Sequence, residues 1–169
     1  GSLGSHTLSI ILANGDGTFK EANVVKVGRF PHYRAYGDWN GDGHVDAAVA
    51  VAGEESVEVL LGNGMGDLKP LARYDSGVNP HGLTSEDFNQ DGELDLAVSN
   101  RTSGGIAIFL GDGSGTFQKT HSVITEHDGI TLSHGDFDKD GIIDLALVSA
   151  SSHSLIFYKG DGKGNFHPW

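Results

Sequence analysis

Carboxylate and amide oxygens alternate along Asp38-Trp39-Asn40-Gly41-Asp42-Gly43-His44-Val45-Asp46. The pattern returns as Asp87-Phe88-Asn89-Gln90-Asp91-Gly92-Glu93-Leu94-Asp95 and as Asp136-Phe137-Asp138-Lys139-Asp140-Gly141-Ile142-Ile143-Asp144. Its starts, 38, 87 and 136, are 49 residues apart both times. Oxygen-bearing side chains hold loop positions one, three, five and nine, and Gly holds position six, where the chain must turn at low steric cost. Calcium is a hard cation that takes roughly six to eight oxygens, and alternating residues of a tight loop can converge on one point. The pattern therefore predicts about three calcium sites. The first would use Asp38, Asn40, Asp42, the main-chain carbonyl of His44, and Asp46. The second would use Asp87, Asn89, Asp91, the carbonyl of Glu93, and Asp95. The third would use Asp136, Asp138, Asp140, the carbonyl of Ile142, and Asp144. With four Asp, the third is expected to bind most tightly.

Rival chemistries fit less well. An EF-hand needs Glu at loop position twelve and flanking helices; that position holds Val49, Val98 or Leu147. Magnesium prefers fewer protein ligands and more water. Zinc would want Cys or a spaced His cluster. One Asp-Gly-rich loop alone would read as a plain turn, but three in one register do not. A metal joining two strands is read first as structural, through ligand linkage, and only second as a bridge to a partner. Trp39, Phe88 and Phe137, at loop position two, are expected to pack beneath their loops.

The elements that hold these loops read as strands. Alternating apolar residues mark strands over 7–13 and 19–27, joined by the Asn14-Gly15-Asp16-Gly17 hairpin. The last Gly of that turn recurs at 17, 66, 115 and 164, followed two residues later by Phe19, Leu68, Phe117 and Phe166. A complete unit then places strands over 32–38, 45–52, 57–61 and 68–74, with an Asp loop between the first two. The second unit repeats it. The third begins near 130 and reaches only into the start of its fourth strand. Strand two is apolar on both faces, with Val45, Ala47, Val49 and Val51 opposite Ala48 and Ala50, so it belongs inside a stack of sheets. No segment has a helical period. A repeat of 40 to 50 residues containing four strands is the mark of a β-propeller blade. The expected fold is all-β: blades of four antiparallel strands in a partial propeller. Residues 1–6 read as a tail resembling a cloning remnant. Residues 7–169 form the propeller segment, with units at 7–28 (partial), 29–77, 78–126 and 127–169 (partial).

The repeat resembles the FG-GAP/VCBS family of integrin-α-type propellers. The likeness is carried by Pro80-His81-Gly82-Leu83 before the loop Asp87 to Asp95, then Leu96-Ala97-Val98, and by Ile106-Ala107-Ile108-Phe109-Leu110-Gly111-Asp112-Gly113-Ser114-Gly115-Thr116-Phe117. It extends over residues 7–166. The resemblance implies four-stranded blades, calcium loops between strands one and two, and a closed ring of usually seven blades. It also implies a role in protein or carbohydrate recognition, as in cell adhesion. The chain departs from the family in blade count, which has two explanations: it is a piece of a longer propeller, or it assembles or swaps strands to cover its open edges. Unpaired strand edges are sticky, so on the second reading a homo-oligomer formed through open blade edges is expected.

Composition narrows the function further. The net charge is -12, the wrong sign for a nucleic-acid binder and the right one for cation loops. Three bound divalent ions would bring it to -6. With no Cys, disulfides are excluded. The apolar runs are too short to insert in a membrane. Hard oxygen sites fill most readily where calcium is abundant, which points to an extracellular or cell-surface setting.

Nothing in the sequence supports catalysis. There is no Gly-x-Ser-x-Gly elbow and no phosphate-binding Gly-Lys-Ser/Thr. The Asp and Glu residues could suggest glycoside hydrolysis, but the loop Asp are better read as metal ligands, and Glu54-Glu55 as solvated. A ligand is expected opposite the calcium loops, on connections that differ between repeats. His32 and His81 stand at equivalent places there, with Ile130 as the third. Arg101 and His153 are further polar candidates. The plainer reading makes the two His axis-lining residues and the other two solvated. The leading functional reading is a calcium-binding, non-catalytic recognition or scaffolding module. The alternatives are a carbohydrate-binding accessory domain of a larger secreted enzyme, and a self-assembling propeller fragment with no ligand.

Overall fold

The computed structural model describes residues 4–102, 104–123, 125 and 128–169. The strands are β1 (Thr7–Ile10), β2 (Asn23–Lys26), β3 (Pro31–Gly37), β4 (Asp46–Val51), β5 (Ser56–Gly62), β6 (Leu68–Asp75), β7 (Pro80–Glu86), β8 (Asp95–Asn100), β9 (Ile106–Gly111), β10 (Phe117–Val123), β11 (Gly129–Gly135), β12 (Asp144–Ser149), β13 (Ser154–Gly160) and β14 (Phe166–Pro168). They form three four-stranded antiparallel sheets, β3 to β6, β7 to β10 and β11 to β14, each in sequence order, preceded by the two-stranded β1–β2 ribbon. The innermost strands β3, β7 and β11 pack against one another in turn. This is a propeller segment whose blades fan out from a shared inner edge. Among the described residues the only helical turn is the 3-10 segment Ala52–Glu54.

Strand two is the buried spine of each sheet. All residues of β4 and of β8 are buried, so Ala47 and Ala48 in one, and Leu96 and Ala97 in the other, face sheets on both sides. The core is a series of inter-sheet layers. Ala48, Ala50, Val57 and Val59 meet Leu83, Leu96, Val98, Phe109 and Phe117 between the first and second sheets. Ala97, Ile106 and Ile108 meet Leu132, Leu145, Leu147, Tyr158 and Phe166 between the second and third. Leu8 of β1 packs on Ala47, Val49, Val51 and Leu60. Since each layer uses the same repeat positions, the 49-residue period in sequence is a period in packing.

Several expectations change. The third sheet is complete, because Phe166–Pro168 pairs with β13. The first ribbon is shorter than its apolar pattern: beyond Ile10 only the Ala13–Phe19 bridge persists, as a two-stranded ribbon lacks the neighbours that flatten and hold a sheet. Val45 lies outside β4 and is exposed. Trp39 and Phe88 are buried as expected, but Phe137 is 44% exposed, because among the described residues no sheet packs over its loop. Glu55 is exposed as expected, but Glu54 is half-buried and does more than meet solvent: it pairs with Arg73 and accepts the Arg29 N–H. The boundary at residues 126 and 127, and Gly1, Ser2 and Leu3 of the expected tail, lie outside the described residues.

Candidate metal centres

Each Asp loop joins an inner strand to its buried neighbour: β3 to β4, β7 to β8, β11 to β12. In the first, Asp38 accepts the N–H of Asp42 at 3.1 Å and of Gly43 at 2.8 Å. Asn40 Oδ1 accepts the Asp42 N–H at 3.1 Å, and Asp42 Oδ1 the His44 N–H at 2.8 Å. Asp87, Asn89 and Asp91 make the same four bonds at 3.2, 2.9, 3.0 and 2.9 Å. Asp136, Asp138 and Asp140 make them at 3.1, 2.9, 3.2 and 2.9 Å. Position six is left-handed as expected (Gly43, Gly92, Gly141), and position four is too, at Gly41, Gln90 and Lys139. Their φ values are 69°, 62° and 66°, so the loops share one backbone path whatever residue stands at position four.

Position nine carries a role that residue type alone did not reveal. Asp46, Asp95 and Asp144 are fully buried. One oxygen of each accepts the N–H of loop position two: Trp39 at 3.1 Å, Phe88 at 2.9 Å, Phe137 at 3.0 Å. The other accepts the N–H of the Gly ending strand three: Gly62 at 2.8 Å, Gly111 at 2.9 Å, Gly160 at 2.9 Å. Those glycines are fixed by close approach. A Cβ on them would lie 2.1, 2.3 or 2.2 Å from the carbonyl oxygen of Val45, Leu94 or Ile143. The one signal available in sequence was their own 49-residue recurrence.

The electrostatics suit a cation. Burial raises the Asp95 carboxyl to about 6, with the charges of Asp91 and Asp87 adding to the rise and its two N–H bonds opposing it. In the third loop, carboxylate oxygens of Asp136, Asp138 and Asp144 lie within 4.8 Å of one another. Among the described residues this is the one such convergence of three carboxylate or imidazole groups. Lys159 of β13 also reaches this loop, pairing with Asp138 and, at 3.0 Å, with Asp140. Both carboxylates hold the ammonium well above its usual range. The equivalent residues elsewhere are Leu61 and Leu110, so only the third loop has a built-in cation. His44 and Glu93 are exposed and Ile142 is half-buried.

The following blade covers each of the first two loops. Gly115 donates its N–H to the Trp39 carbonyl at 2.8 Å, and Gly164 to the Phe88 carbonyl at 3.0 Å. Phe117 meets Trp39 edge-on at 5.7 Å, and Phe166 meets Phe88 at 5.5 Å. Asp38, Asn40, Asp87 and Asn89 are half-buried in consequence, while Asp136 and Asp138 stay exposed.

The candidate ligand residues divide. The register sets Pro31 opposite Val51 and Gly37 opposite Asp46, so His32 lies at the far end of β3, about 20 Å from the loop at ~3.3 Å per residue. His32 and His81 stack there at 4.3 Å, with Tyr33 5.5 Å from His81. His81 Nδ1 donates to the Ile130 carbonyl at 2.8 Å. Burial lowers the His32 pKa, helped by His81 and by the charge of Arg101. His32, His81 and Arg101 therefore share one end of the inner strands. His153 does not join them; it sits exposed on the turn between β12 and β13. His134, which drew no notice in the sequence, bonds Thr84 at 2.6 Å and faces Glu86 at 3.4 Å, tying β11 to β7.

No match to a curated protein was found. The family model of the FG-GAP-like repeat matches twice, over residues 38–98 and 87–147. Each match runs from one Asp loop through the next and ends in the following buried strand, so the matched unit is the one that places a loop at the same corner of successive sheets. With two overlapping matches in the period of its own loops and sheets, the chain belongs to the FG-GAP-like repeat family.

Proposed function

We propose that the chain is a calcium-binding, non-catalytic propeller module for protein or carbohydrate recognition or scaffolding, in an extracellular or cell-surface setting. The carrying observation is the threefold identity of the Asp loops, whose oxygen side chains sit in one hydrogen-bond pattern at the same corner of three sheets. Asp38, Asn40, Asp42 and Asp46 would hold the first ion with the His44 carbonyl. Asp87, Asn89, Asp91 and Asp95 would hold the second with the Glu93 carbonyl, and Asp136, Asp138, Asp140 and Asp144 the third with that of Ile142. The ion supplies positive charge where burial and mutual repulsion strain the carboxylates. Its role is structural, since position nine already belongs to the clasp between strands two and three. The recognition surface lies at the opposite end, and the grouping of His32, Tyr33, His81 and Arg101 there supports it.

Calorimetric titration of the chelated protein with calcium is expected to show binding at the loops, and the melting temperature to rise markedly with the ion. An unchanged melting curve in EDTA, after metal removal is verified, would sink the structural-calcium reading. Binding of the calcium-loaded protein to glycan arrays and to immobilised proteins separates the partner classes, with His32→Ala/His81→Ala as the variant expected to lose it.

A further inference from the structure

Within the chain, every sheet that has a successor is covered by it in one way, and the last sheet presents the same surface with nothing on it. Val57 and Ile106 are 0% exposed beneath the next sheet, whereas their equivalent Leu155 is 56% exposed. Phe137 and Val148 are exposed for the same reason. With Phe157 and Trp169, Phe137 and Leu155 line a groove of about 590 Å³ on this face. At the other end of the molecule, the β1–β2 ribbon presents the complementary surface. Ile11 and Phe19 are 56% and 67% exposed, although the equivalents of Ile11 (Leu60, Phe109 and Tyr158) are buried, as are Phe117 and Phe166, and Leu68, which meets only the loopless ribbon, is half-buried. The covering hairpin is also preformed. Gly17 has φ 90°, against 83° at Gly115 and 79° at Gly164, the two glycines that donate to the preceding loop.

We propose that these two faces bind each other between copies, head to tail. Phe19 of one copy seats on Phe137 of the next as Phe117 seats on Trp39 and Phe166 on Phe88. The Gly17 N–H donates to the Phe137 carbonyl, as Gly115 and Gly164 do to theirs. The occupant is a second copy because both halves of an interface used twice inside the chain are exposed on it, at matching repeat positions. The ribbon is a fixed platform, held by Leu8, Ile10, Val25 and Val27 against the first sheet. It lacks the two inner strands that add to the internal interfaces, so the association is weaker than the internal packing and depends on concentration. A head-to-tail contact is heterologous, so it closes into a ring or extends. This inference does not rest on calcium.

Sedimentation equilibrium of the full chain tests it. The average mass should rise above 17.8 kDa with concentration. Phe19→Asp removes the head and Leu155→Asp the tail; both side chains are exposed, and circular dichroism checks that each variant folds. Each variant alone should stay monomeric. Their equimolar mixture retains one intact head and one intact tail, so it should form a dimer and nothing larger. Should an Asp variant fail to fold, Phe19→Ser and Leu155→Ser take its place. A parent protein monomeric up to millimolar concentration, association by either variant alone, or a mixture that stays monomeric would each overturn the proposal.

Discussion

At the level of single residues, the position-nine Asp differs from the other proposed ligands in being needed by the protein itself. Asp95 satisfies two N–H groups, and truncation would leave both without an acceptor at a buried corner, at about 1–3 kcal/mol each. Asp95→Ala is therefore expected to lower unfolding free energy by about 2–6 kcal/mol in urea titrations even with EDTA present. Asp91→Ala, at exposed position five, should be nearly silent in EDTA and reduce only the stabilisation that calcium adds. Equal losses for the two variants in EDTA would contradict this division. Lys159 makes the second residue-level case. The fourth Asp of the third loop favours tight binding on charge alone, but the ammonium of Lys159 offsets it, leaving that loop no more negative than the other two. Lys159→Leu, which installs the residue found at positions 61 and 110, should raise calcium affinity at the third loop several-fold and leave the others unchanged, as followed by calorimetry. An unchanged third site would mean the lysine does not compete.

Among the elements, the inner strands carry the other titrating feature. His32 is half-buried, packed on His81 and within reach of the Arg101 charge; burial first, then the two neighbours, set its folded pKa below the ordinary 6.5. The unfolded chain then binds the proton more readily, and stability present above about pH 6.5 is lost as pH falls through that value. Urea unfolding at pH 7.5 and 5.5 should show the parent losing more stability than His32→Asn, which has nothing to titrate there; parallel losses would remove His32 as the cause. How far these elements could be foreseen depends on the range of their determinants. The buried second strands were legible because a strand covered on both faces has no polar alternation. The Asp loops were legible because their oxygens and glycines lie within nine consecutive positions. The bond from Gly111 to Asp95 was not, since it joins residues 16 apart through strand pairing alone. Lys159 was likewise hidden, because only the register of β13 beside β12 carries it to Asp138.

For the molecule as a whole, the exposure of Phe137 was unreadable for a different reason: its surroundings depend on a neighbour rather than on local sequence. Trp39 and Phe88 hold the same loop position and are buried by the sheets that follow them, so residue type could not distinguish the three. The global charge is legible, and it has a consequence at this scale. The net charge of -12 is concentrated in loops set at one corner of each sheet, so the unliganded protein is strained by self-repulsion that bound divalent ions would relieve. Salt screens the same repulsion, with a Debye length near 8 Å at physiological ionic strength and about 3 Å at 1 M. Raising sodium chloride from low to near-molar concentration should therefore lift the melting temperature clearly in EDTA and only slightly in saturating calcium. Chloride rather than sulfate is the salt to use, since sulfate also strengthens apolar burial. The two salt responses differ only if the ions sit among the carboxylates. Equal slopes would mean that the repulsion lies outside the loops, and that any stabilisation by calcium arises elsewhere.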